Sequence, residues 1–256
     1  MIEILNTLKV RNEVLFYTGA ISLILALVCL VLSYTTKTQV LGINAFIKPL
    51  KFYVSTAIYT FTMAWILHYL NQPKLVLAFN WTLVVTLAFE NIYITYKAFI
   101  GQQSHFNVST STNAAMFSLM AIAITIITLF TAYIAVVFFT KDFPNLSNSY
   151  VWGIRLGLLL FVVFAFEGFV MGAKLSHTVG APDGGAGLPL TNWSKQNGDL
   201  RIAHFLGMHA LQILPLIGYY LTNNAKITIS MGVLYFVLTS AILIQALNGK
   251  SLFKWL

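Results

Sequence analysis

Apolar residues run along this chain in seven long blocks separated by short polar stretches, at about residues 15–35, 49–70, 75–99, 113–139, 151–174, 201–222 and 228–247. Each block is close to the ~20 residues that a helix needs to cross a hydrocarbon core. The pattern therefore predicts an all-α, polytopic integral membrane protein, a seven-transmembrane-helix bundle forming one domain over residues 1–256. The first block is too long for the apolar core of a signal peptide, and Ser33-Tyr34-Thr35-Thr36-Lys37 lacks a small-x-small cleavage site, so it is expected to stay as a helix. A composition of 58% hydrophobic and 9% charged residues fits a lipid bilayer as the chain's surroundings.

The polar residues inside the blocks carry the chemical information, because a charge in mid-membrane is costly unless it meets a partner, water or a ligand. The second block opens on Lys48-Pro49-Leu50-Lys51-Phe52, and helical spacing sets Lys51, Ser55, Tyr59 and Thr62 on one arc. In the third, Thr82, Thr86, Glu90, Tyr93 and Lys97 share a face, with Glu90 roughly two turns inside the helix end. That carboxylate should be paired or protonated, and a structural pair with Lys97 or Lys51 is the plain alternative to a functional role. Glu167 and Lys174 lie on one face of the fifth block and are expected to pair with each other. The sixth block holds the densest group: Arg201, His204, Met208, Gln212 and Tyr219 align, and His209 lies close to Gln212. His204 and His209 are five residues apart, about 140° around a regular helix, so they clip a metal only if the helix is locally distorted; Pro215 is a source of distortion.

Among the connections, residues 101–110 are rich in hydrogen-bonding side chains and include His105. The segment 175–200 is the longest without helical pattern. Its glycines are followed by no Gly-Lys-Ser/Thr, so it is not a phosphate loop. Trp193, Leu188 and Leu190 argue for an ordered loop that packs on the bundle, and it is expected to seat over a cavity formed by the second, third and sixth spans, with Asp183 or His177 contributing. Asp199 is a natural N-cap for the helix that follows.

The net charge of +8 arises from basic residues scattered at block ends and loops, which suits a membrane interface better than nucleic acid. Raw counting of Lys and Arg favours an outside N-terminus. Setting aside Lys48, Lys51, Lys97, Lys174 and Arg201, which a site would recruit, reverses the balance, and the expectation is a bacterial inner-membrane protein with its N-terminus inside and its site facing outward. The single cysteine, Cys29, excludes an intramolecular disulfide. With no lysine in the last block, a retinal Schiff base is not expected.

Alternating helix direction brings Lys48, Lys51, Glu90, His105, Glu167, His177, Asp183, Asp199, Arg201, His204 and His209 to one membrane face. The expected function is a metal-dependent membrane enzyme, a hydrolase or oxidoreductase. Glu90, His105 and Asp183 would be catalytic, Lys48, Lys51, Arg201 and Gln212 would bind an anionic or lipid-like small molecule, and His204, His209 and Glu90 would hold zinc or iron. A transporter or ligand-binding receptor using the same groups is the alternative. A b-type haem protein is a further one, needing His105 or His177 opposite a helix histidine. Oligomeric state is open at this stage.

The motifs Lys48-Pro49-x-Lys51-Phe52, Ser104-His105-Phe106-Asn107, Ala181-Pro182-Asp183-Gly184-Gly185 to Leu188-Pro189, and Asp199-Leu200-Arg201 to His209-Ala210-Leu211-Gln212 resemble those of an uncharacterised bacterial multi-pass membrane protein family. The resemblance covers most of the chain. It implies a shared site and carries no activity with it.

Overall fold

The computed structural model describes residues 2–253; Lys254, one of the basic residues in the charge count, lies outside the described residues. Among those described, eight α-helices follow one another: α1 (Ile2–Arg11), α2 (Glu13–Thr35), α3 (Ile47–Leu67), α4 (Pro73–Phe99), α5 (Ser111–Thr140), α6 (Asn148–Lys174), α7 (Leu200–Leu216) and α8 (Ala225–Leu247). The helices α2 to α8 are the seven long and apolar enough to cross a membrane, α3 with its 3-10 turn at His68–Leu70 and α7 with a π-helical turn at Ile217–Leu221. The chain is an all-α integral membrane protein.

Several helices begin one to three residues before the apolar blocks because a polar residue caps them. The side chains of Asn12, Ser147, Asp199 and Asn224 accept from the amides of Leu15, Tyr150, Arg201 and Lys226, while Pro73 opens α4 where its missing N–H leaves nothing unpaired. Asn12 also breaks the chain direction: its extended backbone separates α2 from α1, a short helix outside the apolar pattern.

Packing divides the chain into two compact units, Met1–Ile127 and Thr128–Leu256, with the boundary inside α5. In the first unit α2 packs on α3 and α3 on α4. Asn12 and Asn80 exchange amide hydrogen bonds at 3.0 and 2.9 Å and tie the start of α2 to α4. Asn91 Nδ2 donates to Thr56 Oγ1 at 2.9 Å, and Thr95 Oγ1 to the Tyr53 hydroxyl at 3.1 Å, joining α4 to α3. A two-residue hairpin, β1 (Gln39–Val40) with β2 (Ile43–Asn44), turns the chain between α2 and α3.

In the second unit α6 and α7 are the most intimate neighbours. The spacing Gly153-x-x-x-Gly157 explains this: a Cβ on Gly153 would lie 2.5 Å from the Leu214 carbonyl oxygen, and one on Gly157 would lie 2.9 Å from that of Ala210. Only glycine permits backbones to approach this closely. Ser149, one turn before Gly153, adds a buried bond from its hydroxyl to the Thr222 carbonyl at 2.7 Å. The long loop is ordered by an antiparallel pair, β3 (Thr178–Val179) with β4 (Gly198–Asp199), and by a bridge between Gly187 and Ser194.

Candidate functional site

In the first unit the polar groups gather around His105. Its Nδ1 lies 3.2 Å from Lys48 Nζ and 3.2 Å from Ser104 Oγ, and its Nε2 lies 3.4 Å from Glu90 Oε1. An ammonium only donates, so Nδ1 must accept, which leaves the ring proton on Nε2, directed at the carboxylate. The result is a continuous chain from Lys48 at the start of α3, through a loop histidine, to Glu90 in α4. Burial, and after it the charge of Lys48, holds the His105 pKa well below the ordinary imidazole value, so the ring is neutral in the folded protein. Phe52, Phe106 and Phe117 surround the imidazole with ring centroids 5.5, 6.2 and 6.1 Å away. Glu90 is buried at 5% exposure, and Lys48 and Lys51 are half-buried.

The other polar residues of α3 and α4 are placed differently from the sequence expectation. Lys97 is buried and donates to the amide oxygens of Gln102 and Asn113 at 2.8 and 2.7 Å, so it locks the α4–α5 connection instead of pairing with Glu90. On the α3 arc Ser55 is exposed while Lys51, Tyr59 and Thr62 are half-buried, and the buried hydroxyls of this helix belong to Tyr53, Thr56 and Thr60.

In the second unit the loop residues hold one another. Asp183 accepts from Ser176 Oγ at 2.8 Å, from the Thr178 amide at 2.9 Å and from the His177 amide at 3.3 Å, and lies 3.2 Å from His177 Nδ1. Burial alone would raise its pKa. The facing His177 and the hydrogen bonds outweigh it and leave the pKa lowered. Arg201 turns back onto Asp199 in a two-bond clasp at 2.9 and 2.6 Å, and also donates to the Asn192 carbonyl at 2.6 Å. Trp193 packs edge-on against Phe205 and stacks with Phe253, which anchors the loop on α7 and the C-terminal segment.

The two helix histidines go separate ways. The α7 segment stays α-helical through both, and the π-helical turn follows Pro215 instead of falling between them, so the ~140° offset persists. His204 Nδ1 donates to the Phe164 carbonyl at 2.7 Å and lies 3.3 Å from Glu167 Oε2. His209 Nδ1 lies 3.0 Å from Gln212 Oε1, with its ring against Phe205. Glu167 thus meets His204, whereas Lys174, its expected partner, is exposed. Among the described residues no group of three or more His, Cys, Asp or Glu side chains is arranged to hold a metal ion, and that includes His204, His209 and Glu90. Each has a partner of its own within its unit.

Sequence reasoning also missed Phe117 against His105 and the Gly153-x-x-x-Gly157 contact, whereas Ser104 was already part of the Ser104-His105-Phe106-Asn107 motif. The glycine contact was detectable as a four-residue glycine spacing in an apolar helix; the Phe117 contact depends on how the loop carrying His105 returns. No family model, no curated protein and no solved structure matches the chain.

Proposed function

We propose that the chain is an integral-membrane acid–base enzyme acting on an anionic or lipid-like small molecule, with its chemistry in the Lys48–His105–Glu90 chain. The observation that carries this reading is a half-buried histidine, its side chain 20% exposed, whose two ring nitrogens face a lysine and a carboxylate. A proton passing from Lys48 Nζ to His105 Nδ1, while the Nε2 proton passes to Glu90 Oε1, converts an ammonium–carboxylate pair into a neutral amine and a neutral acid. The histidine merely exchanges tautomers. The chain thereby offers a base at its Lys48 end and recovers the proton afterwards, and Lys51 supplies a further cation for an anionic substrate group. The three phenylalanine rings around His105 lower the local polarity, which strengthens electrostatic interactions within.

Zinc or iron would find one imidazole and one carboxylate here, fewer than the three protein ligands of known catalytic zinc sites, so no step is assigned to a metal. In this proposal the N-terminus is inside and the site faces outward. The test is turnover of a fluorogenic acyl ester bearing a carboxylate, by the full chain in nanodiscs. General acid–base catalysis typically contributes about 10²–10⁴-fold, so His105→Gln and Glu90→Gln should each lose about 100-fold or more. Equal turnover by the wild type and both variants defeats the proposal.

A second reading, a solute transporter, is favoured by the presence of buried carboxylates in two spans, Glu90 in α4 and Glu167 in α6. Uptake of a labelled organic anion into proteoliposomes, abolished by Glu90→Gln, would put it first.

A further inference from the structure

We propose that Glu167 and His204 form an intramembrane proton-binding site in the second unit, an inference that does not rest on the acid–base reading of the first. The Glu167 side chain is 4% exposed, and neither of its carboxylate oxygens receives a hydrogen bond. Its nearest titratable neighbour is His204, but Nδ1 of that ring is aimed at the Phe164 carbonyl at 2.7 Å, with Glu167 Oε2 farther off at 3.3 Å. A carbonyl oxygen so close requires the proton on Nδ1, so in the neutral ring Nε2 carries the lone pair.

Charge counting then identifies the ligand. A carboxylate beside a neutral imidazole leaves one uncompensated negative charge inside a membrane-spanning helix, which is costly. One added proton cancels it, either on Glu167 or on His204 Nε2, where it makes an imidazolium facing the carboxylate. Net charge goes from −1 to zero, no other bond breaks, and the proton comes from water. Both forms hold the same single proton, and the Nδ1–H need only swing from the Phe164 carbonyl to Oε2 to serve the second.

The surroundings are built for this pair. Gly168 makes room for the imidazole, since a Cβ there would lie 3.2 Å from His204 Cε1, and Gly207 makes room for the Phe164 ring. Other titratable groups on the elements packed around the pair have partners elsewhere or are exposed. Arg201 is held by Asp199, His209 by Gln212, Arg155 by the carbonyls of Phe138 and Lys141, and Tyr235 donates to the Leu206 carbonyl; Lys174, Tyr219 and Tyr220 are exposed. A metal would lack a third ligand among the described residues.

The experiment is infrared titration of the full chain in nanodiscs, with labelled histidine reporting imidazolium, over the range where carboxylates and imidazoles ordinarily titrate. The wild type should show one proton, as a carboxylic-acid band or as imidazolium, that disappears in Glu167→Gln and survives in Glu90→Gln. Gly168→Ala, which crowds the ring, should alter the His204 imidazole signal and leave Glu90 unaffected. Should Glu167→Gln fail to fold, His204→Gln serves, since the proton must then appear on Glu167 as the acid band. The proposal is overturned by an ionised Glu167 beside a neutral His204 throughout, or by a signal that follows sodium concentration instead of pH.

Discussion

His105 Nε2 lies 3.4 Å from Glu90 Oε1, so a residue of the α4–α5 connection closes over a carboxylate buried in α4. The carboxylate would favour a charged ring, but burial and the positive charge of Lys48 both oppose it and hold the imidazole neutral. The unfolded chain takes up this proton near pH 6.5, whereas the folded chain does so only at lower pH, so stability falls as pH drops below about 6.5. His105→Gln should flatten that acid limb while leaving stability near neutral pH less affected, as thermal unfolding in detergent at stepped pH would reveal. An unchanged acid limb would mean that another group governs it.

Asn12 caps α2 and exchanges two buried hydrogen bonds with Asn80. Asn12→Ala strands the Asn80 amide and removes the cap, and should lower stability by about 1–3 kcal/mol, the range for an orphaned buried polar group. The double variant Asn12→Ala, Asn80→Ala should cost less than the sum of the two single ones, because the second removes a group already stranded. Additive losses would show that the pair contributes nothing as a pair.

Gly157 allows the α6 backbone to approach Ala210. Gly157→Leu should abolish folded protein, whereas Leu159→Ala, on an exposed position two residues away, should stay within about 0.5 kcal/mol of wild type, as surface changes do. Size-exclusion recovery after mild heating distinguishes them. Tolerance of leucine at 157 would refute the backbone contact.

Asp183 organises the loop through Ser176, His177 and Thr178. Asp183→Ala should open residues 180–190 to limited proteolysis and leave the helices intact by circular dichroism. Because the carboxyl's pKa is lowered in the fold, its contribution is present above the unfolded value of 3.8 and is lost only as pH falls through the lower folded value. Protease resistance equal to wild type would mean that the β3–β4 pair, the Arg201–Asn192 bond and Trp193 order the loop without Asp183.

The sole cysteine, Cys29, is buried at 2% exposure, which makes topology accessible by labelling. With Cys29 replaced by alanine, Gly185→Cys should react with a membrane-impermeant maleimide added to intact spheroplasts, and Asn145→Cys should react only after lysis. The reverse result would place the N-terminus outside.

The seven crossings were readable from the sequence because a bilayer imposes a length and an apolarity that no partner can supply, and the caps at Asn12, Ser147 and Asn224 moved their starts by only two or three residues. Strict alternation of helix direction likewise brought Lys48, Glu90 and His105 to one end. Partner choice was not readable. Glu90 had Lys97 at suitable helical spacing, yet it meets His105, and Glu167 passes over Lys174 for His204. Those choices depend on how far each helix is rotated and how a loop returns, which are set by contacts distant in sequence: Phe117 against His105, and Gly153 and Gly157 against α7. Periodicity along a single helix carries no record of its neighbour's rotation, and only the packed tertiary structure selects the pair.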